Sequence, residues 1–228
     1  MYAYGKNVAK EMLEKKEEIE KAYLYQNFKD KDIINELEKQ NIKIVYLNKN
    51  EMDYKVNGNH QGIILETKEY EYTDIDETIN EDIVVILDHL EDPHNFGAII
   101  RTCEAAGIKS IIIPKDRSVK VNGTVIKVSV GTIKDMKISI VNNLVNTINM
   151  MKKQGFWIIG TDMQGTDYKQ IDYSGKIALV IGNEGKGLSR LTKENCDFIA
   201  SIPMKGKVNS LNASVAAALV IYEAVRNR

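Results

Sequence analysis

Only two of the 228 residues are cysteine, Cys103 and Cys196. Two thiols cannot frame a disulfide scaffold, and neither lies in a paired motif spacing. They read as reduced thiols of a cytosolic protein. The three histidines, His60, His89 and His94, are not grouped with cysteine, so no metal site is expected. No stretch approaches the roughly 20 apolar residues of a membrane span. The first residues, Met1-Tyr2-Ala3-Tyr4-Gly5-Lys6, contain no apolar signal core. The chain therefore reads as cytoplasmic. Net charge is also lacking, at −1, so no global basic field announces nucleic acid. RNA contact would need a local patch, which a net charge averages away. Residues 1–75 sum to −3 and the remainder to +2.

Common chemical fingerprints are missing too. No Gly-x-Gly-x-x-Gly follows the first strand pattern, which excludes the usual dinucleotide loop. Gly182-Asn183-Glu184-Gly185-Lys186-Gly187 sets a lysine among glycines but lacks the Gly-Lys-Ser/Thr ending of a phosphate-cradling loop. No Gly-x-Ser-x-Gly elbow supports a hydrolase with Ser210 as nucleophile. Cys103 sits on an apolar helix pattern, where a thiol is buried and inert. There is no internal repeat and no low-complexity tract.

What is present is an ordinary globular composition, 43% apolar and 28% charged, enough for one large or two small domains. Residues 1–72 alternate short helices and strands. Val8–Leu13 and Asp32–Lys39 have helical spacing, the latter capped by Asp30 or Asp32. Ile19–Leu24, Ile42–Leu47 and Gly62–Glu66 read as strands, the last after the turn-rich Asn57-Gly58-Asn59-His60. Residues 73–82, within an acidic stretch of little periodicity, are expected to form a solvated linker. From residue 83 the pattern changes to continuous apolar runs: Ile83–Leu87, Ile111–Ile113, Trp157–Ile159 and Ile177–Ile181. Such runs mark strands covered on both faces, as in parallel sheets. Helical patterns at Phe96–Ala106, Asn143–Lys153 and Ser210–Arg226 separate or follow them. The fold class is α/β, with helices on both faces of a mainly parallel sheet over residues 83–228. The last helix, apolar nearly all round from Ala213 to Tyr222, is either a core helix or an intersubunit one.

Three polar motifs sit where strand patterns give way to helix patterns, which is where open α/β sheets form ligand crevices. In Asp92-Pro93-His94-Asn95-Phe96-Gly97-Ala98-Ile99-Ile100-Arg101, Asn95 either caps a helix or lines a site. Arg101 follows on an otherwise apolar face, and a partly buried arginine calls for an anion such as phosphate. In the second motif Glu184 follows an apolar strand among Gly182, Gly185 and Gly187, which let a ligand come close. In the third, Asn209-Ser210-Leu211-Asn212-Ala213-Ser214, there are more short polar side chains than a helix cap needs.

Together the Asn95-x5-Arg101, Gly182-x-Glu184-Gly185 and Ile202-Pro203-Met204…Ser210-Leu211-Asn212-x-Ser214 elements closely resemble the SPOUT-class, trefoil-knotted RNA ribose 2′-O-methyltransferases. The resemblance covers about residues 83 to 226. Tyr4-Gly5-Lys6-Asn7-Val8 and His60-Gln61-Gly62-Ile63 resemble the L30e-like substrate-binding domain of the bacterial 23S rRNA guanosine 2′-O-methyltransferase group. The resemblance implies a knotted catalytic domain, a homodimer, S-adenosylmethionine as cofactor and RNA, with rRNA foremost, as partner. Thr161, Gly182, Ile202 and Leu211 match the cofactor positions; Asn95, Arg101, Glu184, Ser210 and Asn212 match the catalytic ones. A guanidinium stays protonated at neutral pH. Arg101 therefore reads as a clamp on the phosphate beside the target ribose and a stabiliser of the developing alkoxide. Glu184 and Asn95 would orient it, while Ser210 and Asn212 hold the pocket. Lys115, Arg117, Lys120, Lys127, Lys205 and Lys207 are the candidate RNA contacts, expected to give salt-sensitive binding. Val130, Thr132 and Lys134-Asp135 depart from the family pattern, in a way expected to affect packing rather than catalytic identity. The alternatives are a tRNA 2′-O-methyltransferase and a non-catalytic RNA-binding or ribosome-assembly module.

Overall fold

The computed structural model describes residues 2–56, 58–226 and 228. The chain forms two compact units: Met1–Glu71 with Val121–Lys127, and Tyr72–Lys120 with Val128–Arg228.

The first unit contains strands β1 (Tyr2–Tyr4), β2 (Ile19–Tyr25), β3 (Lys43–Leu47) and β4 (Ile63–Thr67), and helices α1 (Lys6–Glu14), α2 (Lys31–Lys39) and α3 (Lys49–Lys55). The strands form one sheet in the order β1-β4-β2-β3. Strand periodicity divides its side chains between two faces. Ala22, Leu24, Ile63 and Leu65 pack against Ala9, Met12 and Leu13 of α1 and Ile33 and Leu37 of α2. Tyr23 and Ile64 point the other way and meet Met52 and Val56. Asp30, not Asp32, caps α2 through the Ile33 N–H. Strand β1 and helix α3 escaped the sequence reading. The first is too short to show a period, and the second buries only Met52 among polar neighbours. Of the turn expected before β4, Asn57 lies outside the described residues.

The second unit holds strands β5 (Ile83–Asp88), β6 (Ser110–Pro114), β7 (Lys137–Val141), β8 (Trp157–Asp167), β9 (Ile177–Gly182) and β10 (Phe198–Ser201). Their order is β10-β8-β9-β5-β6-β7, and every pairing is parallel. All residues of β5, β6 and β9 are buried, which is why these strands read as unbroken apolar runs. Helices α4 (Ile75–Thr78), α5 (Pro93–Ala105), α6 (Gly123–Val128), α7 (Leu144–Lys153), α8 (Arg190–Glu194) and α9 (Ala213–Val225) complete the chain. Residues through Lys127 of α6 group with the first unit. Leu144, Ile148 and Met151 of α7 pack onto Val84, Ile86, Ala178 and Val180. The alternate residues Val85, Leu87, Leu179 and Ile181 are equally buried on the opposite face, and α9 packs on β9 and α5.

Two expectations change. The acidic stretch is not simply a solvated tether. It contains α4, whose Thr78 is fully buried with its hydroxyl 2.5 Å from Ser139 Oγ, and Ile79 enters the core. The last helix starts at Ala213 rather than Ser210, because Asn212 caps it by accepting the Ser214 N–H.

Candidate active site

Strands β5 and β9 run parallel and in register to their last pair, Asp88 opposite Gly182. The loops leaving the two strands therefore emerge at the same edge of the sheet. After β5, Asp92 caps α5 by accepting the His94 N–H, with Pro93 in the first turn where its missing N–H costs nothing. Asn95 is thereby freed from capping and is 5% exposed. After β9, a glycine-flanked turn carries Glu184. Asn95 Nδ2 donates to Glu184 Oε1 at 2.9 Å across 89 residues of sequence. The first and second motifs thus meet in one place.

The third motif and Arg101 are arranged otherwise. Arg101 was expected partly buried and held by Asn95 and Glu184. It is exposed, since Ile99, Ile100 and Cys103 take the core face of α5. Among the described residues its guanidinium has no ion pair or hydrogen bond, and its expected holders bond each other. Ser210 is exposed and precedes α9, so it floors no enclosed pocket within this unit. Asn212 is exposed and acts as the helix cap, its Oδ1 also accepting the Ser214 hydroxyl at 2.5 Å.

A set of residues not singled out in the sequence ties the site together. Asp88 is 1% exposed. One of its carboxylate oxygens lies 2.6 Å from His89 Nδ1, and the other accepts the Ser189 N–H at 2.6 Å. His89 adopts a left-handed backbone, φ 57°, and its carbonyl accepts Asn183 Nδ2 at 2.8 Å. Asn183 Oδ1 accepts the N–H groups of Gly185 and Lys186. The turn bearing Glu184 is thus stapled at both ends to the end of β5. A carboxylate closing an all-apolar strand was the available signal for Asp88.

Of the cofactor candidates, Gly182 is buried while Thr161, Ile202 and Leu211 are half-buried. Thr161 Oγ1 donates to the Val180 carbonyl at 3.1 Å. A Cβ on Gly182 would lie 2.5 Å from the Gly187 carbonyl carbon and 2.7 Å from Leu188 N, so only glycine fits where these backbones cross. Among the basic candidates, Lys115, Arg117, Lys127, Lys205 and Lys207 are exposed. Lys120, expected as an RNA contact, is not exposed. Its ammonium is half-buried and donates to the Pro114 carbonyl at 2.6 Å, and burial pulls its pKa down. In the first unit, the two short motifs converge: Gln61 Oε1 accepts the Lys6 N–H at 2.8 Å at the start of α1.

Residues 82–222 match the SpoU rRNA methylase family. The chain belongs to that family. Residues 2–73 match the RNA 2′-O ribose methyltransferase substrate-binding domain. The Bacillus subtilis (strain 168) protein YacO, named for the TrmH family of tRNA/rRNA methyltransferases, is 42% identical over 238 residues, covering 100% of this chain and 96% of YacO. A Staphylococcus aureus (strain COL) protein named for the same family is 42% identical over 236 residues, covering 98% of this chain and 95% of its own. The crystal structure of the SpoU methyltransferase AviRb from Streptomyces viridochromogenes, in complex with AdoMet, has a TM-score of 0.70 at 24% identity, covering 100% of this chain and 90% of AviRb. The A. aeolicus TrmH/SpoU tRNA modifying enzyme has a TM-score of 0.60 at 34% identity, covering 64% of this chain and 75% of its own. The fold is that of the SpoU methyltransferases, and family membership makes the chain an RNA methyltransferase.

Proposed function

We propose that this protein is an S-adenosylmethionine-dependent RNA 2′-O-methyltransferase acting on the ribose of a guanosine in 23S rRNA. The observation that carries the reading is the Asn95–Glu184 bond at the shared ends of β5 and β9, where α/β folds bind ligands. The residues present suit the cofactor. The turn after Gly182 offers bare glycine backbone, Ile202 and Leu211 keep aliphatic surface half exposed, and such pockets combine apolar walls with a few fixed polar groups. When bound, S-adenosylmethionine supplies a methyl group activated on a sulfonium.

The chain's own residues do the positioning. Arg101 presents an unpaired guanidinium fork to the phosphate beside the target ribose and to the charge that develops on the 2′-oxygen. Asn95 and Glu184 fix each other, and their remaining oxygens have no partner among the described residues. In-line alignment of this kind supplies about 7–11 kcal/mol in favourable cases. The enzyme works in the cytoplasm with its catalytic unit knotted. Two copies pair through α9, where Val215, Leu219 and Tyr222 are 48%, 38% and 52% exposed and share one helix face.

A tRNA substrate is the second reading, favoured by the A. aeolicus tRNA modifying enzyme at 34% identity. Against it stands the substrate-binding unit at residues 2–73, since the A. aeolicus match covers only 64% of this chain. The test incubates purified protein and labelled S-adenosylmethionine with 23S rRNA transcripts and with tRNA, then maps modified nucleotides by mass. A 2′-O-methylguanosine in rRNA is expected. Label confined to tRNA selects the second reading, and absence of label from both overturns the assignment.

A further inference from the structure

We infer that an open pocket beside α3 in the first unit is a nucleobase site, where one base of single-stranded RNA stacks on Tyr54. The inference rests on the reading that the chain acts on RNA. Helix α3 is seven residues long and covers its face of the sheet through Met52, with Val56 just beyond its end. Beside it lies a cavity of about 620 Å³ lined by Tyr2, Leu47, Asn50, Glu51, Tyr54 and Lys55. Tyr54 is 94% exposed, so it contributes almost no burial to the fold. Its ring is a free π-surface, and base stacking on such rings is tolerant of sequence.

The opposite wall is rigid. The Tyr2 ring meets Tyr23 edge-to-face at 6.2 Å and 78°. Lys55 Nζ lies 4.1 Å from the Tyr23 centroid and 5.0 Å from that of Tyr2, and donates to Tyr2 Oη at 3.2 Å. Its rotamer is thus held before any ligand arrives, which lowers the ordering cost of binding. The ammonium retains other N–H donors for a base carbonyl or a phosphate. The Asn50 side chain has no hydrogen-bond partner among the described residues and can read a base edge as donor and acceptor. Glu51 engages the Asn48 N–H with one oxygen, Oε2 at 2.8 Å, and can accept from an exocyclic amine with the other. Lys49, exposed on the same helix, offers charge to the flanking backbone. A protein-docking patch would be contiguous apolar surface. Here polar side chains alternate with rings, as in recognition of unstacked RNA bases. With Glu51 and Asp53 beside Lys49 and Lys55, stacking rather than net charge must carry the affinity.

The test measures anisotropy of labelled oligoribonucleotides of about 12 nucleotides, within the site sizes of single-strand binders, on the full chain over a range of salt. Tyr54→Ala is expected to weaken binding about 5- to 150-fold and Tyr54→Phe to restore it. The log–log salt slope should stay unchanged in Tyr54→Ala and drop by about one contact in Lys49→Ala. In methylation assays Tyr54→Ala should raise KM for RNA and leave kcat alone. If Tyr54→Ala binds and turns over RNA like the parent while the parent methylates, the base site is wrong and the RNA methyltransferase reading stands. If the parent neither binds nor methylates any RNA, both readings fall.

Discussion

Arg101 is the residue proposed to clamp the RNA phosphate, and its exposure is informative. A guanidinium with no ion pair or hydrogen bond among the described residues has given up no interaction in the free protein, so its fork is available to an RNA phosphate. Arg101→Lys keeps the charge and loses the fork. It is expected to cut kcat about 100-fold, as loss of one donor to a developing oxyanion does, with cofactor affinity unchanged by calorimetry. Methylation at the parent rate would end the clamp. The cysteines behave oppositely. Cys103 is fully buried and its thiol is pushed up by that burial, and burial pushes Cys196 up to about 12. Both stay protonated at pH 8, so a disulfide thiol reagent should titrate neither in the folded protein and both in denaturant.

At the scale of elements, the turn between β9 and α8 is held at one end by the Asn183 side chain and at the other by the Ser189 N–H. Ser189 has φ −61°, which proline also adopts. Ser189→Pro therefore deletes the N–H that Asp88 accepts, leaving a buried carboxylate oxygen short of a partner at a cost of about 1–3 kcal/mol. Thermal unfolding should fall accordingly and kcat should drop with it, while Ser189→Ala, which keeps the N–H, should turn over normally. Equal behaviour of the two variants would dismiss the staple. Before β7, Val130 has φ 53° and is 53% exposed. A branched side chain is strained in that left-handed region, at about 1–3 kcal/mol. Val130→Gly is expected to stabilise by about 1 kcal/mol after the entropy of glycine is counted, raising Tm by roughly 2–4 °C.

The whole molecule is expected to work as a pair. Val215, Leu219 and Tyr222 form an exposed apolar stripe along α9. Leu219→Glu should give a monomer by light scattering, with its circular dichroism spectrum intact. A dimer in that variant would move the interface elsewhere. The site itself was only partly legible. Asn95 and Glu184 were marked by residue type at strand ends, and they do meet. Asp88 and Ser189 were not marked, because a backbone N–H 101 residues away leaves no trace in the pattern. Arg101 misled because neighbouring isoleucines suggest a buried helix face, whereas each step of about 100° around α5 turns it outward.

The sequence alone marked the central layer: the short apolar runs of β5, β6 and β9 read as strands covered on both faces, and the family motifs name the chemistry at their ends. Which of the polar groups converge was decided by tertiary structure. Strand register brings Asp88 level with Gly182, and only then can one buried carboxylate, one glycine too crowded for a Cβ and one amide set the place of Glu184. Short-range pattern governs what must leave water, while long-range register governs which polar atoms become neighbours.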